Sequence, residues 1–546
     1  MKTALRFSAI LSIFSLMHIC VSAQMLVPNK TNIDFGNVFT GELDSETVTL
    51  TNPHNSAIGI LEIHLYDTAF STPFTQFFIP GKSSYDLKIY FRPTQNVKYK
   101  SGLIILNDGR NGNLALNVTG QGKYKDSYYS STENLYEEDL KAALKTLLAK
   151  YYVQLGYDNA RNRMFMDIDN QKVNGIGANT NTLECVYTGR KITGYTARSD
   201  AQTNGNFNTE HTFPQSFFDE KEPMKSDLHH LFPSDEMANT RRSNYPFGIV
   251  ENPSWQEGGS KGITGLFEPR DEHKGNAARA LFYFAVRYGD PGNFLRGPEI
   301  ENGKRELILR KWMTTDTVDA VERQRNNDIF TYQKNRNPFI DHPEMIYRIS
   351  SLTSVYTAPD DYSFAMPSAK ITFGKVGVGD SVVFNYPIEA TGNKTIKVYD
   401  LKFSNTTYRI LKGQDTILPG ESGYLQFVFK PKAAFSSHID TMSFAISQKA
   451  DEEIKVPISI DGSIGLAEFT TNDAVILYPN PVNEMLYITL PENALAITEI
   501  YTVLGEKVLQ TQSITTEINT SALAKGIYIV KIKAGEKIYS RKIIKQ

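Results

Sequence analysis

The sequence is poor in cysteine, has almost no net charge, and lacks the metalloprotease motif His-Glu-x-x-His. Only Cys185 remains outside the N-terminal segment, and one thiol cannot form an internal disulfide. Stability must therefore come from apolar cores or bound ions, and we expect Cys185 to be buried and without a catalytic role. The formal net charge of −2 gives no general attraction to nucleic acid or to anionic membranes.

Long apolar runs are also missing, apart from the N-terminal segment. A short positive region there precedes an apolar stretch that ends in the small residues Val21-Ser22-Ala23, which predicts a secretory signal peptide over residues 1–23. The stretch is short for a membrane anchor, and the residues before Cys20 fit a lipoprotein cleavage site poorly. No later segment reaches about 18 apolar residues, so we expect an exported, soluble mature protein without a transmembrane span.

An internal repeat divides the rest of the chain. Residues 33–41 read IDFGNVFTG and residues 371–379 read ITFGKVGVG. Each copy begins a stretch of short alternating strands separated by turn residues, which predicts two separate β domains, 25–122 and 360–465. Both resemble Hydin-like immunoglobulin-type β-sandwiches, a resemblance that implies spacing or binding rather than catalysis.

The block between the two copies has a different composition. Residues 133–150 and 275–288 have helical apolar periodicity, and the first of them has acidic residues in its first turn. The block also holds five of the nine histidines. We therefore predict a mixed, helix-rich domain over 124–357.

The C-terminal segment returns to short strands. It contains YPNPVNEMLYITL (478–490), EIYTVLGEKVLQ (499–510) and KGIYIVKI (525–532). In this order the motifs resemble the C-terminal sorting domain of type IX secretion cargo, over about 472–546. The resemblance implies a small β-sandwich, the type IX secretion machinery as partner, and release or surface attachment after outer-membrane translocation.

The chemistry of the central block is concentrated around Glu210 and His211. Adjacent residues on a regular strand point to opposite faces, so both can serve one site only at a strand end or bulge, and the break at Thr212-Phe213-Pro214 fits such a place. Ser234 is a good N-cap for a following helix that would carry Asn239 in its second turn. That helix could bring the Asn239 amide oxygen to a metal ion held by Glu210, and leave His211 free to take a proton from water.

Four blocks within this domain then point to a family, in the order NTEHTFPQSFF, SDLHHLFPSDEMANTRRSN, FEPRDEHKGNAARALFYFAVRY and NRNPFIDHPE. Together they resemble the endonuclease I family of secreted or periplasmic nucleases, of the ββα-metal (His-Me finger) class. The resemblance implies His211 as general base, and Glu210 and Asn239 as ligands of one divalent ion, Mg²⁺ first and Ca²⁺ or Mn²⁺ as alternatives. The implied reaction is largely sequence-nonspecific hydrolysis of DNA, with RNA as an alternative, to 5′-phosphate ends.

The remaining polar residues have weaker assignments. Some family members carry an arginine after the Glu–His pair, whereas this interval offers only lysines. The cation that stabilises the transition state is therefore left open. The candidates for substrate contact or for support of the site are Arg241, Arg242, Arg279, Asp227, His229, His230 and Asn244.

Two of these candidates, His229 and His230, look like zinc ligands. Adjacent histidines seldom bind one ion on regular structure, so we expect one to orient the site and the other to be structural or exposed.

The fold class predicted from these observations is multidomain: a central α+β His-Me finger nuclease domain between two Ig-like β-sandwiches, followed by a small C-terminal β-sandwich. Charge gives no independent support for nucleic-acid binding, since residues 124–357 contain 29 Lys+Arg against 32 Asp+Glu, a net of −3. The alternative is a surface adhesin with an inactive nuclease-like domain. A metalloprotease is disfavoured by the missing motif.

Overall fold

The structure is a computed structural model. The predicted signal peptide and parts of the repeat and sorting motifs lie outside the residues it describes. The described residues are 26–73, 77–107, 113–295, 305–354, 359–366, 371–373, 376–378, 381–433, 438–447, 453–460, 463–464, 476–479, 481–489, 496–502, 507–513, 517–534 and 537–545.

The N-terminal region consists of two sheets that share one apolar core. The strand orders are β1-β3-β7-β5 and β2-β9-β8-β4-β6, and β2 pairs with β9 in parallel. The β2 ladder shifts register between Asp34 and Asn37, where Gly36 adopts a φ of 62° that side chains rarely tolerate. The strands are β1 Val27–Pro28, β2 Asn32–Phe39, β3 Asp44–Thr51, β4 Ile58–Leu65, β5 Phe70–Ser71, β6 Phe77–Ile79, β7 Ser84–Phe91, β8 Lys98–Asn107 and β9 Leu114–Lys123.

The central region is rich in helices and surrounds one large core. Its longest helix, α5, is buried on nearly all sides, begins with two acidic residues and ends before Gly289, whose φ is 86°. The elements are α1 Glu137–Lys150, α2 Tyr157–Arg163, β10 Thr182–Glu184, β11 Lys191–Thr193, α3 Arg198–Thr203, β12 Phe207–His211, β13 Leu231–Asp235, α4 Glu236–Arg242, β14 Trp255–Glu257, β15 Ser260–Ile263, β16 Leu266–Glu268, α5 Asp271–Tyr288, α6 Arg305–Thr315, α7 Ala320–Gln333 and α8 Pro338–Asp341.

The second β region repeats the topology of the first. Its sheets have the orders β17-β20-β24-β22 and β18-β26-β25-β21-β23, and β18 pairs with β26 in parallel as β2 does with β9. The internal repeat therefore marks two regions of the same strand order. The strands are β17 Phe364–Ala365, β18 Ile371–Phe373, β19 Val376–Gly377, β20 Val382–Ala390, β21 Ile396–Phe403, β22 Tyr408–Lys412, β23 Asp415–Ile417, β24 Ser422–Phe429, β25 His438–Ile446, β26 Ile454–Ile460 and β27 Ser463–Ile464.

The C-terminal region is also built from strands, in two sheets that share a small core. The strand orders are β28-β29-β32 and β31-β30-β33-β34. The strands are β28 Ile476–Tyr478, β29 Met485–Thr489, β30 Ala496–Thr502, β31 Lys507–Ser513, β32 Glu517–Asn519, β33 Gly526–Ala534 and β34 Lys537–Lys545. None of the helices in the described part of the chain is both long enough and apolar enough to cross a membrane.

The N-terminal β region packs on the central region through buried polar contacts. Arg348 donates to the side chain of Asn96 at 2.6 Å, and Asn96 in turn donates to Thr132 at 3.0 Å. The central region is thus held directly against the N-terminal β region by side-chain contacts.

Candidate functional site

The site residues lie on a unit of two antiparallel strands and a helix, β12, β13 and α4. The register pairs Glu210 with Phe232 and His211 with Leu231. Strand β12 ends at His211, immediately before the predicted break, so the adjacent acid and imidazole stand at a strand end. The unit therefore satisfies the geometric condition under which neighbouring residues can serve one site.

The start of α4 differs from the sequence prediction by one residue. Asp235, not Ser234, is the N-cap, and its carboxylate accepts hydrogen bonds from the backbone N–H groups of Met237 and Ala238. Ser234 is buried in β13, where its hydroxyl lies 3.8 Å from the thiol of Cys185. Either residue type can cap a helix, and the cap falls on Asp235 because the helix begins at Glu236. Cys185 is buried and free, as predicted.

Glu210 is buried, and one of its carboxylate oxygens takes both a hydrogen bond and an ion pair. The Tyr187 hydroxyl donates to its Oε1 at 2.7 Å, and Nε of Arg242 lies 3.2 Å from that oxygen. Burial raises the pKa of Glu210 above its usual range, while Arg242 and the Tyr187 bond act in the opposite direction. Among the described residues no donor reaches Oε2, so this oxygen keeps its lone pairs for a ligand.

His211 is also buried, but its ring has a different set of neighbours. Its Nε2 lies 3.1 Å from the backbone carbonyl of Lys225, and a carbonyl can only accept, so Nε2 carries the proton and Nδ1 is the basic nitrogen. The ring lies beside Tyr157 and His230, each 5.6 Å away between centroids. Burial and the neighbouring His230 lower the pKa of His211 to about 3, so the imidazole is neutral at pH 7.

Asn239 reaches the same strand from α4. Its side-chain amide donates to the backbone carbonyl of Thr209, the residue before Glu210, at 3.4 Å. No donor to its amide oxygen occurs in the part of the chain that the structure describes. The structure thus brings Asn239 to β12 beside Glu210, across an interval of about thirty residues in sequence.

The three arginine candidates occupy different environments. Arg242 shares the Asn239 face of α4 and is buried against Glu210, whereas Arg241 is exposed and has no ion-pair or hydrogen-bond partner within the described ranges. Arg279 is fully buried in α5, where it pairs with Glu322 at 2.6 Å and donates to the carbonyl of Asp316 at 2.7 Å. Only Arg242 touches one of the predicted site residues.

His229 and His230 are both turned into the core, and neither faces solvent. The Nε2 atoms of these rings lie 3.2 Å and 2.7 Å from the backbone carbonyls of Asn335 and Met224 respectively. Burial lowers the pKa of His229 to about 4, against the opposing effect of Asp227. His230 packs against His211, and this fits the predicted orienting role. His229, the one expected to be structural or exposed, is buried beside Tyr283 of α5, with 4.4 Å between ring centroids.

Asp227 is the centre of a buried network behind the site. Its carboxylate accepts from Arg287 at 2.6 Å, from the Tyr283 hydroxyl at 2.8 Å and from the Gln333 side chain at 2.7 Å. Burial alone would raise the pKa of Asp227, but Arg287 and the nearby histidines outweigh it and lower the pKa to about 2. Asn244 is exposed, and its one hydrogen bond within the described ranges is to Ser216, at 3.5 Å.

Two contributors to the site were not named from the sequence. Tyr187 holds Glu210, and the backbone carbonyl of Lys225 fixes the His211 tautomer. Tyr187 lies in ECVYTGR (184–190), which precedes the four blocks quoted for the resemblance, so those blocks gave no signal for it. A backbone carbonyl carries no side-chain signal, and this contact could not be read from residue types.

Comparison with known proteins assigns three regions of the chain to families. The family model described as Endonuclease I matches residues 136–344, the Secretion system C-terminal sorting domain matches 476–546, and the ASPM-SPD-2-Hydin domain matches 23–113.

The similar individual proteins are extracellular nucleases. The chain is 33% identical to an extracellular ribonuclease of Bacillus subtilis (strain 168) over 237 residues, 40% of this chain and 76% of the relative. It is 33% identical to an extracellular ribonuclease of Bacillus amyloliquefaciens over 240 residues, again 40% of this chain and 76% of the relative. An extracellular deoxyribonuclease of Aeromonas hydrophila is 27% identical over 184 residues, 28% of this chain and 77% of the relative.

The chain belongs to the endonuclease I family. It is a nuclease, and its sorting domain and extracellular relatives make it a secreted or cell-surface protein. The predicted family, enzyme class and localisation are therefore confirmed.

Nucleases of this family generally use a divalent metal ion, and the donor set of this site fits one. Glu210 Oε2 and the Asn239 amide oxygen are hard oxygen donors without a hydrogen-bond donor among the described residues, and they lie on neighbouring elements. The described residues contain no cluster of three or more His, Cys, Asp or Glu that could hold a metal. A site with one carboxylate and one amide would leave most coordination positions to water and phosphate.

Proposed function

We propose that the central region is a metal-dependent endonuclease of the His-Me finger type, which hydrolyses phosphodiester bonds with little sequence preference. The observation that carries this proposal is the β12–β13–α4 unit, which places Glu210, His211 and Asn239 on adjoining elements with their basic or ligating atoms unengaged. We further propose domain boundaries of 25–122, 124–357, 360–465 and 472–546, with the two repeated β regions as Ig-like sandwiches.

The residues would divide the chemistry among them. Glu210 and Asn239 would hold one divalent ion, most readily Mg²⁺, and when bound it would neutralise charge on the scissile phosphate and on the departing 3′ oxygen. His211 would take a proton from water at Nδ1, since Nε2 is committed to the Lys225 carbonyl. Attack by that water on phosphorus, with departure of the 3′ oxygen, leaves a 5′-phosphate and a 3′-hydroxyl.

Both kinds of nucleic acid fit the proposed mechanism as substrates. The similar proteins include extracellular ribonucleases and an extracellular deoxyribonuclease. The proposed mechanism has no role for a 2′-hydroxyl, because the nucleophile is water. We therefore propose that the enzyme cleaves both DNA and RNA.

The test is a cleavage assay with the purified full chain on supercoiled DNA and on single-stranded RNA. We expect both to be degraded with Mg²⁺, no cleavage with EDTA, and restored cleavage when excess Mg²⁺ is added. The products should carry 5′-phosphate ends. RNA fragments with 2′,3′-cyclic phosphates would contradict the proposal, because they arise from attack by the 2′-hydroxyl rather than by water.

A further inference from the structure

We propose that Arg242 is the positioning residue of the metal site: its guanidinium fixes Glu210 so that Oε2 alone faces the ion. The inference rests on the proposed function, since it assumes that Glu210 is a metal ligand. It concerns a residue for which sequence reasoning left the role open between phosphate contact and support.

The burial of Arg242 argues against direct contact with substrate. The side chain is 1% exposed, and its guanidinium carbon lies 4.9 Å from the centre of the Phe247 ring. A phosphate on an incoming strand could not reach the guanidinium without displacing this packing. A role through another residue is therefore the one that the geometry allows.

The hydrogen bonds of Arg242 connect the ends of the two elements that carry the site. Nη2 donates to the carbonyl of Thr212 at 2.6 Å, directly after His211, and Nη1 donates to the carbonyl of Ser243 at 2.9 Å, directly after α4. These two hydrogen bonds fix the position of the planar guanidinium. One side chain thus joins the end of the strand that carries Glu210 and His211 to the end of the helix that carries Asn239.

The third contact of Arg242 is with the carboxylate itself. Its Nε lies 3.2 Å from Glu210 Oε1, the same oxygen that accepts the Tyr187 hydroxyl, and it has no hydrogen-bond partner of full geometry among the described residues. The Tyr187 hydrogen bond and the Arg242 ion pair, both on Oε1, together orient the carboxylate. Groups that orient a metal ligand in this manner typically change metal affinity about 10–100-fold when they are lost.

Arg241 provides a matched control on the same helix. It is the adjacent arginine, it is exposed, and it has no partner in the described part of the chain. Replacing either arginine by glutamine removes one positive charge from α4. A general effect of helix charge on metal or nucleic acid would therefore appear in both variants, whereas positioning predicts an effect of Arg242 alone.

The experiment measures Mn²⁺ binding to the full-length protein by calorimetry and electron paramagnetic resonance, without nucleic acid. We expect Arg242→Gln to weaken Mn²⁺ binding about 10–100-fold while Arg241→Gln stays near wild type. Thermal unfolding checks that each variant is folded. If Arg242→Gln does not fold, Arg242→Lys decides, because lysine keeps the charge but cannot span both carbonyls and the carboxylate. Wild-type affinity in the folded Gln or Lys variant would overturn the assignment.

Glu210→Gln separates this inference from the proposed function. If Glu210→Gln abolishes Mn²⁺ binding and Arg242→Gln does not weaken it, only the role of Arg242 is wrong. If wild type and Glu210→Gln bind Mn²⁺ equally, Glu210 is not a ligand, and the proposed metal site fails together with the inference.

Discussion

At the scale of single residues, Glu210 and His211 are adjacent in sequence but need opposite charge states, one ionised and one neutral. Glu210 must stay ionised inside the protein, and Arg242 and Tyr187 supply the compensating donors. His211 must stay neutral, and burial away from any carboxylate partner achieves this. Strand geometry sends the two side chains to different sets of neighbours, which allows one dipeptide to meet both requirements.

The role of His211 as base predicts a loss in turnover rather than in metal binding. His211→Ala should lower kcat about 10²–10⁴-fold, because general base catalysis contributes about that much. Mn²⁺ affinity should stay near wild type, since His211 is not a proposed ligand. Single-turnover cleavage and Mn²⁺ titration measure the two quantities.

His342→Ala is the control for the loss of an imidazole in the same region. That ring stacks on Tyr124 and contacts none of the three proposed site residues. Its removal should leave kcat unchanged in folded protein. Full activity of His211→Ala would remove His211 from the mechanism.

The Arg242–Glu210 pair also predicts a pattern of stabilities. Arg242→Gln leaves a buried carboxylate without its cation and should lower the free energy of unfolding by about 3 kcal/mol. The double variant Glu210→Gln, Arg242→Gln should regain most of that loss, because no uncompensated charge remains. Denaturant titrations measure both, and equal losses in the single and double variants would contradict the ion-pair account.

At the scale of elements, the segment between β12 and β13 does most of the orienting. The backbone carbonyls of Met224 and Lys225 accept hydrogen bonds from the rings of His230 and His211 respectively. Asp227 anchors the same segment through its bond with Arg287. Long helices supply the anchor partners, since Arg287 lies on α5 and Gln333 on α7. The site thus depends on helices that carry none of its proposed reacting groups.

Asp227→Asn tests this anchor. The variant leaves the buried Arg287 without a carboxylate, so the free energy of unfolding should fall by about 3–5 kcal/mol. The control is Asp219→Asn, which breaks the exposed pair with Lys221 and should cost less than about 1 kcal/mol. Urea unfolding near pH 7 measures both changes, and equal losses would contradict a special role for the network.

Sequence patterns predicted well that a strand, a break and a helix follow one another at the site. Capping residues, the Thr212-Phe213-Pro214 break and apolar periodicity are all local signals. They misplaced the N-cap by one residue, since Ser234 and Asp235 are both good capping residues and the helix begins only at Glu236. The burial of His229 could not be predicted locally, because its cover comes from residues about fifty to a hundred positions later.

At the scale of the whole molecule, the two repeated β regions contact each other as well as sharing a topology. The carboxylate of Glu389, in β20, accepts a hydrogen bond from the backbone N–H of Gly102, in β8, at 3.0 Å. Lys100 and Glu421 form an ion pair across the same contact at 3.0 Å. The repeat predicted both regions, but this contact joins residues nearly 290 apart and leaves no pattern in either stretch.

The contact between the β regions predicts a pH dependence. Glu389 is 2% exposed, and burial, with Asp67 nearby, raises its pKa to about 8 despite the Gly102 bond. The folded state therefore favours the protonated form of Glu389. The stability that Glu389 contributes is complete below its unfolded pKa near 4.5 and is lost as the pH rises through 8.

We expect the melting temperature associated with the β regions to fall between pH 5 and pH 9, and Glu389→Gln to flatten that fall. Scanning calorimetry measures it across the range. Glu421→Gln is the control, because it removes only the partly exposed pair with Lys100. An unchanged slope in Glu389→Gln would assign the pH dependence to other groups.

The central claim concerns one shared ion, and anomalous diffraction from Mn²⁺-soaked crystals tests it most directly. The account predicts a single strong peak bridging Glu210 Oε2 and the Asn239 amide oxygen, with the His211 ring outside the coordination sphere. A peak coordinated by His211, or no peak between Glu210 and Asn239, would contradict it.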